Sequence, residues 1–570
     1  MQRPLDLVLV WHMHQPDYRD SATGEFSMPW VYLHAIKDYT DMAWHLEQHP
    51  EVRAVVNFVP VLLDQLEDYC EQFDSGDLRD PMLRLLARSD ATPLSEAERA
   101  RVLERCFHSN HRNMIAPYPP YRHLHELFTS LEAKGRESLV YLSDQYVYDL
   151  LIWYHLSWTG ESVRRGSKTV ARLMTVGAHF SREDRTALVA TIAELVRGIV
   201  PRFRRLAESG RIELSTTPHC HPLAPLLIDF RCALDAEPAA PLPEAQVYAG
   251  GRARVTAQLD QAIESHARRF GARPRGVWPA EGAVSSALLS LMETHEVAWT
   301  ASGEAVLANS LRKSAATLPP RGEFLYRPYR VPSAARRLVC FFRDDRLSDL
   351  IGFEYSKWHG RDAAANFIAE LETIASGAPA EERPLVSVIL DGENAWEYYP
   401  YNGFYFLSAL YESLEKHPGI RTATYSAYIG KESQPASRRG AWGELPVLVA
   451  GSWVHGTLAT WIGSPDKNRG WDLLCAAKAS FDLVIGSGRL SEQQKASALR
   501  QLADCEGSDW FWWLGDYNPA EAVAAFELAY RTKLANLYRL LELPVPASLS
   551  VPISLGHGHP ESGGAMRRAS

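Results

Sequence analysis

Four segments of this chain place proton-transferring or ligand-binding side chains directly behind short apolar runs. His12-Met13-His14-Gln15-Pro16 follows the run at 5–10, and His219-Cys220-His221-Pro222 follows 211–214. Pro279-Ala280-Glu281-Gly282 follows 276–278, and Asp391-Gly392-Glu393-Asn394 follows 385–390. Glu281 and Asp391 carry the sharpest reading. An acid just past a strand and before a helix favours the positive end of the helix dipole, which is the plain explanation for either alone. Two such acids on neighbouring strand ends, flanked by Trp278 and Trp396, suit cleavage of a glycosidic bond. There one carboxylate attacks or stabilises the anomeric centre and the other protonates the leaving oxygen.

The histidines leave alternatives open. In an extended strand residues i and i+2 share a face, so His12 and His14 point the same way, and His219 and His221 do so if their segment is extended. Such a pair can bind a metal, contact sugar hydroxyls, or pack with both ring nitrogens satisfied. Glu213 is either an orienting or sugar-binding group or a structural ion-pair partner. Aromatic residues cluster as Trp396-Glu397-Tyr398-Tyr399, as Trp453 and Trp461 around His455-Gly456, and as Trp510-Phe511-Trp512-Trp513 beside Asp509 and Asp516. Flat rings with a polar edge suit sugar faces, and four consecutive rings cannot all face inward on one helix.

These groups need a scaffold that gathers strand ends. The apolar runs at 5–10, 54–59, 211–214, 276–278, 296–300 and 385–390 are nearly unbroken, as in strands buried on both faces of a parallel sheet. Helical patterns follow two of them. Val284, Leu288, Leu291 and Met292 recur at i, i+4, i+7 and i+8, and Phe404, Leu407, Tyr411 and Leu414 at i, i+3, i+7 and i+10. The expected class is α/β, with sites at the carboxyl ends of the strands. Residues 1–430 are expected to form the catalytic domain with a helical insertion at about 80–205. Residues 431–555 read as a C-terminal helical domain contributing to the site, and 556–570 as a mobile tail.

Composition narrows the function. With 570 residues and a net charge of −9, the chain lacks the basic surplus of a phosphate-neutralising nucleic-acid binder. Its seven cysteines are loosely spaced without a C-x-x-C pair, which speaks against a disulfide framework. The first apolar run lacks a small-residue cleavage site, and the uncharged stretch 445–465 is broken by Pro446, Gly451 and Gly456. The expectation is a cytoplasmic protein with no membrane or nucleic-acid partner, its oligomeric state open.

Taken in order, the segments resemble the five short motifs of glycoside hydrolase family 57. The first is His12-Met13-His14-Gln15-Pro16, and the second is Ile212-Glu213-Leu214 with the following His-Pro. The third is Trp278-Pro279-Ala280-Glu281, and the fourth runs from Leu390 to Trp396. The fifth runs from Trp453 through Trp461 to Trp471. The resemblance implies a distorted (β/α)7 barrel followed by helices. It also implies a retaining mechanism on α-glucans or maltooligosaccharides, without cofactor or metal. It places Glu281 as nucleophile and Asp391 as acid/base, and lines the scissile-bond subsite with His14, Glu213, His221 and Trp461. Substrate contacts are further expected from His12, Trp278, Glu393, Trp396, Trp453, His455, Trp512 and Asp516. The closest likeness is to the amylase and amylopullulanase branch. Gly282 stands where branching enzymes of the family usually carry Cys, and His455 where amylopullulanases often carry an acid. On this view the charge of Glu281 raises Asp391 and keeps it protonated. A 4-α-glucanotransferase or branching-type transferase uses the same site. A zinc-dependent hydrolase or deacetylase and a non-catalytic glucan-binding protein are the alternatives from other classes.

Overall fold

A computed structural model describes residues 3–90, 92–315, 317–331, 338–379, 383–430 and 442–558. Its strands are β1 (Leu5–Met13), β2 (Ala54–Phe58), β3 (Ile212–Thr216), β4 (Gly276–Val277), β5 (Trp299–Gly303), β6 (Tyr329–Arg330), β7 (Val339–Arg343), β8 (Leu385–Asp391), β9 (Ile420–Thr422) and β10 (Gly443–Glu444). Strands β1, β2, β3, β4, β5, β7 and β8 pair in that order, all parallel, and β8 returns to β1 to close a seven-stranded barrel. The β3–β4 and β7–β8 seams are the thinnest, each a single register pair, Thr216 with Val277 and Arg343 with Ser387. Strand β9 adds alongside the start of β1, while β6 pairs antiparallel with β7 outside the ring.

Period-two alternation sorts each strand. Leu7, Leu9, Trp11 and Met13 face the helices outside the barrel, while Val8 and Val10 join Val55, Ala301, Phe341 and Ile389 in the inner core. By the same alternation His12 and Asp391 face inward. The register puts His12 level with Asn57 on one side and Asp391 on the other. The apolar floor therefore ends one layer below a polar rim. That is the carboxyl end of the strands, where (β/α) barrels carry their chemistry.

The connection from β2 to β3 is wholly helical, from the helix Pro60–Ser75 to the helix Arg182–Glu208, so helices start about twenty residues earlier than the sequence suggested. Strand β7, VCFFR, was not among the apolar runs read from the sequence, and the run at 296–300 is realised as Trp299–Gly303. After the barrel come the helices Pro465–Ser487, Glu492–Cys505, Ser508–Trp513 and Ala520–Leu540. Of the stretch expected to be a mobile tail, His557 and Gly558 donate backbone hydrogen bonds to Asp516 and Asn518, and 559–570 lie outside the described residues. Among the described residues no helix is long and apolar enough to cross a membrane.

Candidate active site

A cavity of about 720 Å³ opens at the rim of the barrel. This lies within the roughly 300–1,000 Å³ range of small-molecule sites. Its floor includes His12, His14, His221, Glu281, Asp391 and Glu393. One wall is built by Trp30 and Trp158 of the insertion side, the other by Trp453, Trp512, Trp513 and Phe526.

Glu281 follows the very short β4 in a tight turn, Ala280–Gly282, with φ 58° and ψ 23°. His221, at φ 56°, adopts the same left-handed conformation. Residues with a Cβ pay roughly 1–2 kcal/mol for it. Two such residues on one cavity floor mark backbone held in place by its surroundings, a hallmark of functional sites. Glu281 is gripped from two directions. Trp453 Nε1 donates to its Oε2 at 3.1 Å, and Ser508 Oγ lies 3.4 Å from its Oε1. Its backbone carbonyl also accepts from the Trp453 amide.

Asp391 ends β8, where Asn394 Nδ2 donates to its Oδ2 at 2.9 Å. Gly392 next to it is packed against Met13, and a Cβ there would overlap the Met13 sulfur. Glu393 is 2% exposed and accepts at Oε1 from the His14 amide and from Gln15 Nε2, both at 3.3 Å, while its Oε2 has no protein partner.

Burial raises the Glu281 carboxyl well above the ordinary carboxylate range. The charges of Asp391 and Asp509 add to this, and the Trp453 and Ser508 bonds oppose it. Burial also raises Asp391, but its bond from Asn394 and the positive charges of His14 and Arg343 pull it back. The electrostatic order is thus the reverse of the sequence expectation. Glu281 is raised well above its ordinary range with the charge of Asp391 among the causes, whereas Asp391 owes its elevation to burial. Glu393 is likewise raised, by burial and then by Asp391.

The histidines form a stack. The rings of His14 and His221 lie 3.8 Å apart, and His12 Nε2 is 3.1 Å from His221 Nε2. His14 Nε2 donates to Asp509 at 2.9 and 3.0 Å. His14, His221 and Asp509 bring ligand atoms within 4.8 Å of one another, the only such cation-sized triad among the described residues. His221 is engaged at both ring nitrogens, by His12 and Ser508, and His14 Nε2 by Asp509, while His14 Nδ1 is buried without a protein partner.

Several expected residues lie elsewhere. Glu213 faces inward at the lower end of the barrel, where it accepts from Trp299 Nε1 (2.7 Å) and from the Ser426 amide (2.9 Å) and hydroxyl. It does not line the cavity. His219 turns away to Asp64. His455 and Asp516 are exposed; Asp516 meets only His557, at 3.9 Å. Trp278, Trp396 and Trp461 are buried behind the wall: Trp278 packs on Trp453, Trp396 on Trp11, and Trp461 on Trp512. Conversely Asn57, Arg343, Ser508 and Asp509 were not selected from the sequence. Of the two acids beside the aromatic cluster, Asp509 lines the cavity and Asp516 does not.

The profile described as "Glycosyl hydrolase family 57" matches residues 8–438. Among solved structures, a branching enzyme of this type from the archaeon Pyrococcus horikoshii is 17% identical, with TM-score 0.58, covering 95% of this chain and 90% of that one. An alpha-amylase from Thermotoga maritima is 13% identical with TM-score 0.54, over 95% and 93%. A 4-alpha-glucanotransferase from Thermococcus litoralis is 13% identical with TM-score 0.51, over 95% and 60%. At these identities the likeness is one of fold. No curated protein matches the chain in sequence.

Proposed function

The chain belongs to glycosyl hydrolase family 57, and on that premise we propose that it is a retaining enzyme acting on α-glucans or maltooligosaccharides, with Glu281 as nucleophile and Asp391 as general acid/base. The observation that carries this reading is that the two carboxyls line one aromatic-walled cavity, and the Asp391 charge adds to burial in raising Glu281. In the reaction Asp391 protonates the leaving oxygen as Glu281 bonds to the anomeric carbon. Asp391 then takes a proton from water or from an acceptor hydroxyl that displaces Glu281. Trp453 holds the nucleophile's second oxygen, and the rings of the walls exclude water and pack the apolar faces of neighbouring sugars.

Transfer to a second sugar is the alternative product of the same intermediate. The lining of the cavity favours it, since besides the carboxyls it includes Trp30, His34, His108 and Trp158, groups able to contact an acceptor sugar. The amylase or amylopullulanase likeness of the third and fourth motifs favours hydrolysis. Incubation with maltoheptaose and with pullulan, followed by chromatography, separates these outcomes. Shorter products alone mean hydrolysis, longer ones mean transfer, and maltotriose from pullulan means cleavage at α-1,6 linkages. Glu281→Gln and Asp391→Asn should each remove nearly all turnover with the fold intact. Substantial residual activity in the Glu281 variant refutes the assignment.

A further inference from the structure

One array of polar groups on the cavity floor has no part in the mechanism above. From Asn57 Oδ1 to His12 Nδ1 is 2.7 Å, from His12 Nε2 to His221 Nε2 is 3.1 Å, and from His221 Nδ1 to Ser508 Oγ is 2.8 Å. Ser508 Oγ then stands 3.4 Å from Glu281 Oε1. The chain crosses three barrel-end segments and reaches the C-terminal helical region. It is buried throughout, with His12, His221 and Ser508 at 3%, 2% and 0% exposure.

The direction of every bond follows from its inner end. Asn57 Nδ2 donates to Ser215 at 3.0 Å, which leaves Oδ1, an acceptor only, facing His12. His12 must therefore carry its proton on Nδ1. Neutral, it offers Nε2 as an acceptor, so His221 carries its proton on Nε2 and accepts at Nδ1 from the Ser508 hydroxyl. Ser508 has then spent its one proton and faces Glu281 with lone pairs, which fits a protonated Glu281 donating to it. Burial and the neighbouring His14 hold His12 down at about 3 against its bond to Asn57, and burial, His14 and His12 hold His221 well below the ordinary range, so both rings rest neutral. A second complete arrangement exists. If the Glu281 proton passes to Ser508 Oγ, the Ser508 proton to His221 Nδ1, and the His221 Nε2 proton to His12 Nε2, the three bonds between Glu281 and His12 are made again in the opposite sense and the His12–Asn57 bond is kept as it was. Glu281 is then a carboxylate accepting from Ser508, and His12 is an imidazolium donating to both His221 and Asn57. No proton is gained or lost.

We propose that Asn57, His12, His221 and Ser508 are positioning residues that form a proton relay to Glu281, which ionises the nucleophile by passing its proton inward to His12 rather than out through the sugar-filled cavity. The inference rests on the reading of Glu281 as nucleophile. The groups facing the relay are Asp391, Asp509 and Trp453 at Glu281, His14 at both histidine rings, and Trp278 at His12. Ser508 is placed independently of its hydroxyl, because its amide donates to the His221 carbonyl at 2.9 Å and Gly507 bridges to Pro222. Ser508→Ala therefore cuts the relay without unseating the segment.

The test combines ring nitrogen NMR on ¹⁵N-histidine-labelled enzyme with pH profiles of kcat/KM on a maltooligosaccharide. Free wild-type enzyme should show His12 protonated on Nδ1 only and His221 on Nε2 only. In Ser508→Ala the ionised nucleophile loses its donor and its proton outlet. The acid limb should then move to higher pH, with kcat/KM on that limb falling about tenfold for each unit of displacement and recovering toward the alkaline side. Ser508→Thr, which keeps the hydroxyl, should restore the wild-type limb. A uniform loss at all pH values in Ser508→Ala, or reversed ring tautomers in the wild type, overturns the relay. Trapping with 5-fluoro-α-glucosyl fluoride and peptide mass spectrometry separates the two levels. A label on a residue other than Glu281 removes the reading beneath the relay. A label on Glu281 with reversed tautomers removes the relay alone.

Discussion

Glu506 is fully buried and precedes Ser508, which stands against Glu281, and Asp509, which lines the cavity. Its carboxylate accepts from Arg254 Nε at 2.6 Å and Nη2 at 2.9 Å, from the Tyr248 hydroxyl at 2.6 Å, and from Gln258. Glu506→Gln keeps the shape and strands the Arg254 guanidinium, itself 8% exposed, without an anion. Removing one partner of a buried pair costs about 3–5 kcal/mol. Unfolding entropy of roughly 2.1 cal/mol/K per residue gives about 1.2 kcal/mol/K for the 570-residue chain. A melting point lower by about 3 °C is therefore expected if the chain melts in one transition, and a larger drop if the C-terminal helices melt first. Activity should fall further than stability, because a displacement on the order of 1 Å at reacting groups can cost about a hundredfold. Calorimetry and initial rates at a temperature where both proteins are folded measure the two effects. Arg254→Met/Glu506→Leu, which strands no charge, should recover much of the stability. A Glu506→Gln melting point within about 1 °C of wild type would refute the view that this network clamps the site.

Other expectations follow from the same geometry. The raised Glu281 stabilises the fold below its ordinary 4.5 and loses that contribution as pH rises through its folded value, so Glu281→Gln should melt higher than wild type at neutral pH, with the gap closing toward acid in a pH series of melts. Gly392→Ala drives a Cβ into Met13 and should cost about 1–3 kcal/mol of stability while misaiming Asp391, read as a fall in kcat with little change in KM. Glu213→Gln disturbs only the bonds to Trp299 and Ser426 at the lower end of the barrel, so it should lower stability by about 1–3 kcal/mol and leave KM within twofold, measured by denaturant melts and initial rates. Asp516→Asn, on an exposed side chain, should change neither.

Which face a residue occupies was legible in the sequence; how high it sits and what closes over it were not. Alternation along β1 gives His12 and His14 one face, and the structure turns His12 inward, level with Asp391. The same alternation puts Glu213 inward, yet in the β3 register it sits level with Val55, two residues below the Asn57–Ser215 pair that is level with His12. Period two carries no information about depth, because depth depends on the stagger between strands, and stagger is set by partners far away in the chain. Strand β7 escaped notice because its five residues end in Arg343, which lies buried beside Asp345 and Asp349, a pairing that sequence spacing alone does not reveal. Ser508 and Asp509 were hidden for a stronger reason. They reach the site only because the C-terminal helices pack back on the loop after β3, through the Ser508–His221 and Gly507–Pro222 backbone contacts. Motif residues can thus be read from strand ends, whereas the groups that set their protons come from a closure that local sequence does not encode. It follows that variants of Asn57, Ser508 and Asp509 should alter the pH response of the site more than its affinity. Variants of the ring walls at Trp453 and Trp512 should alter affinity first.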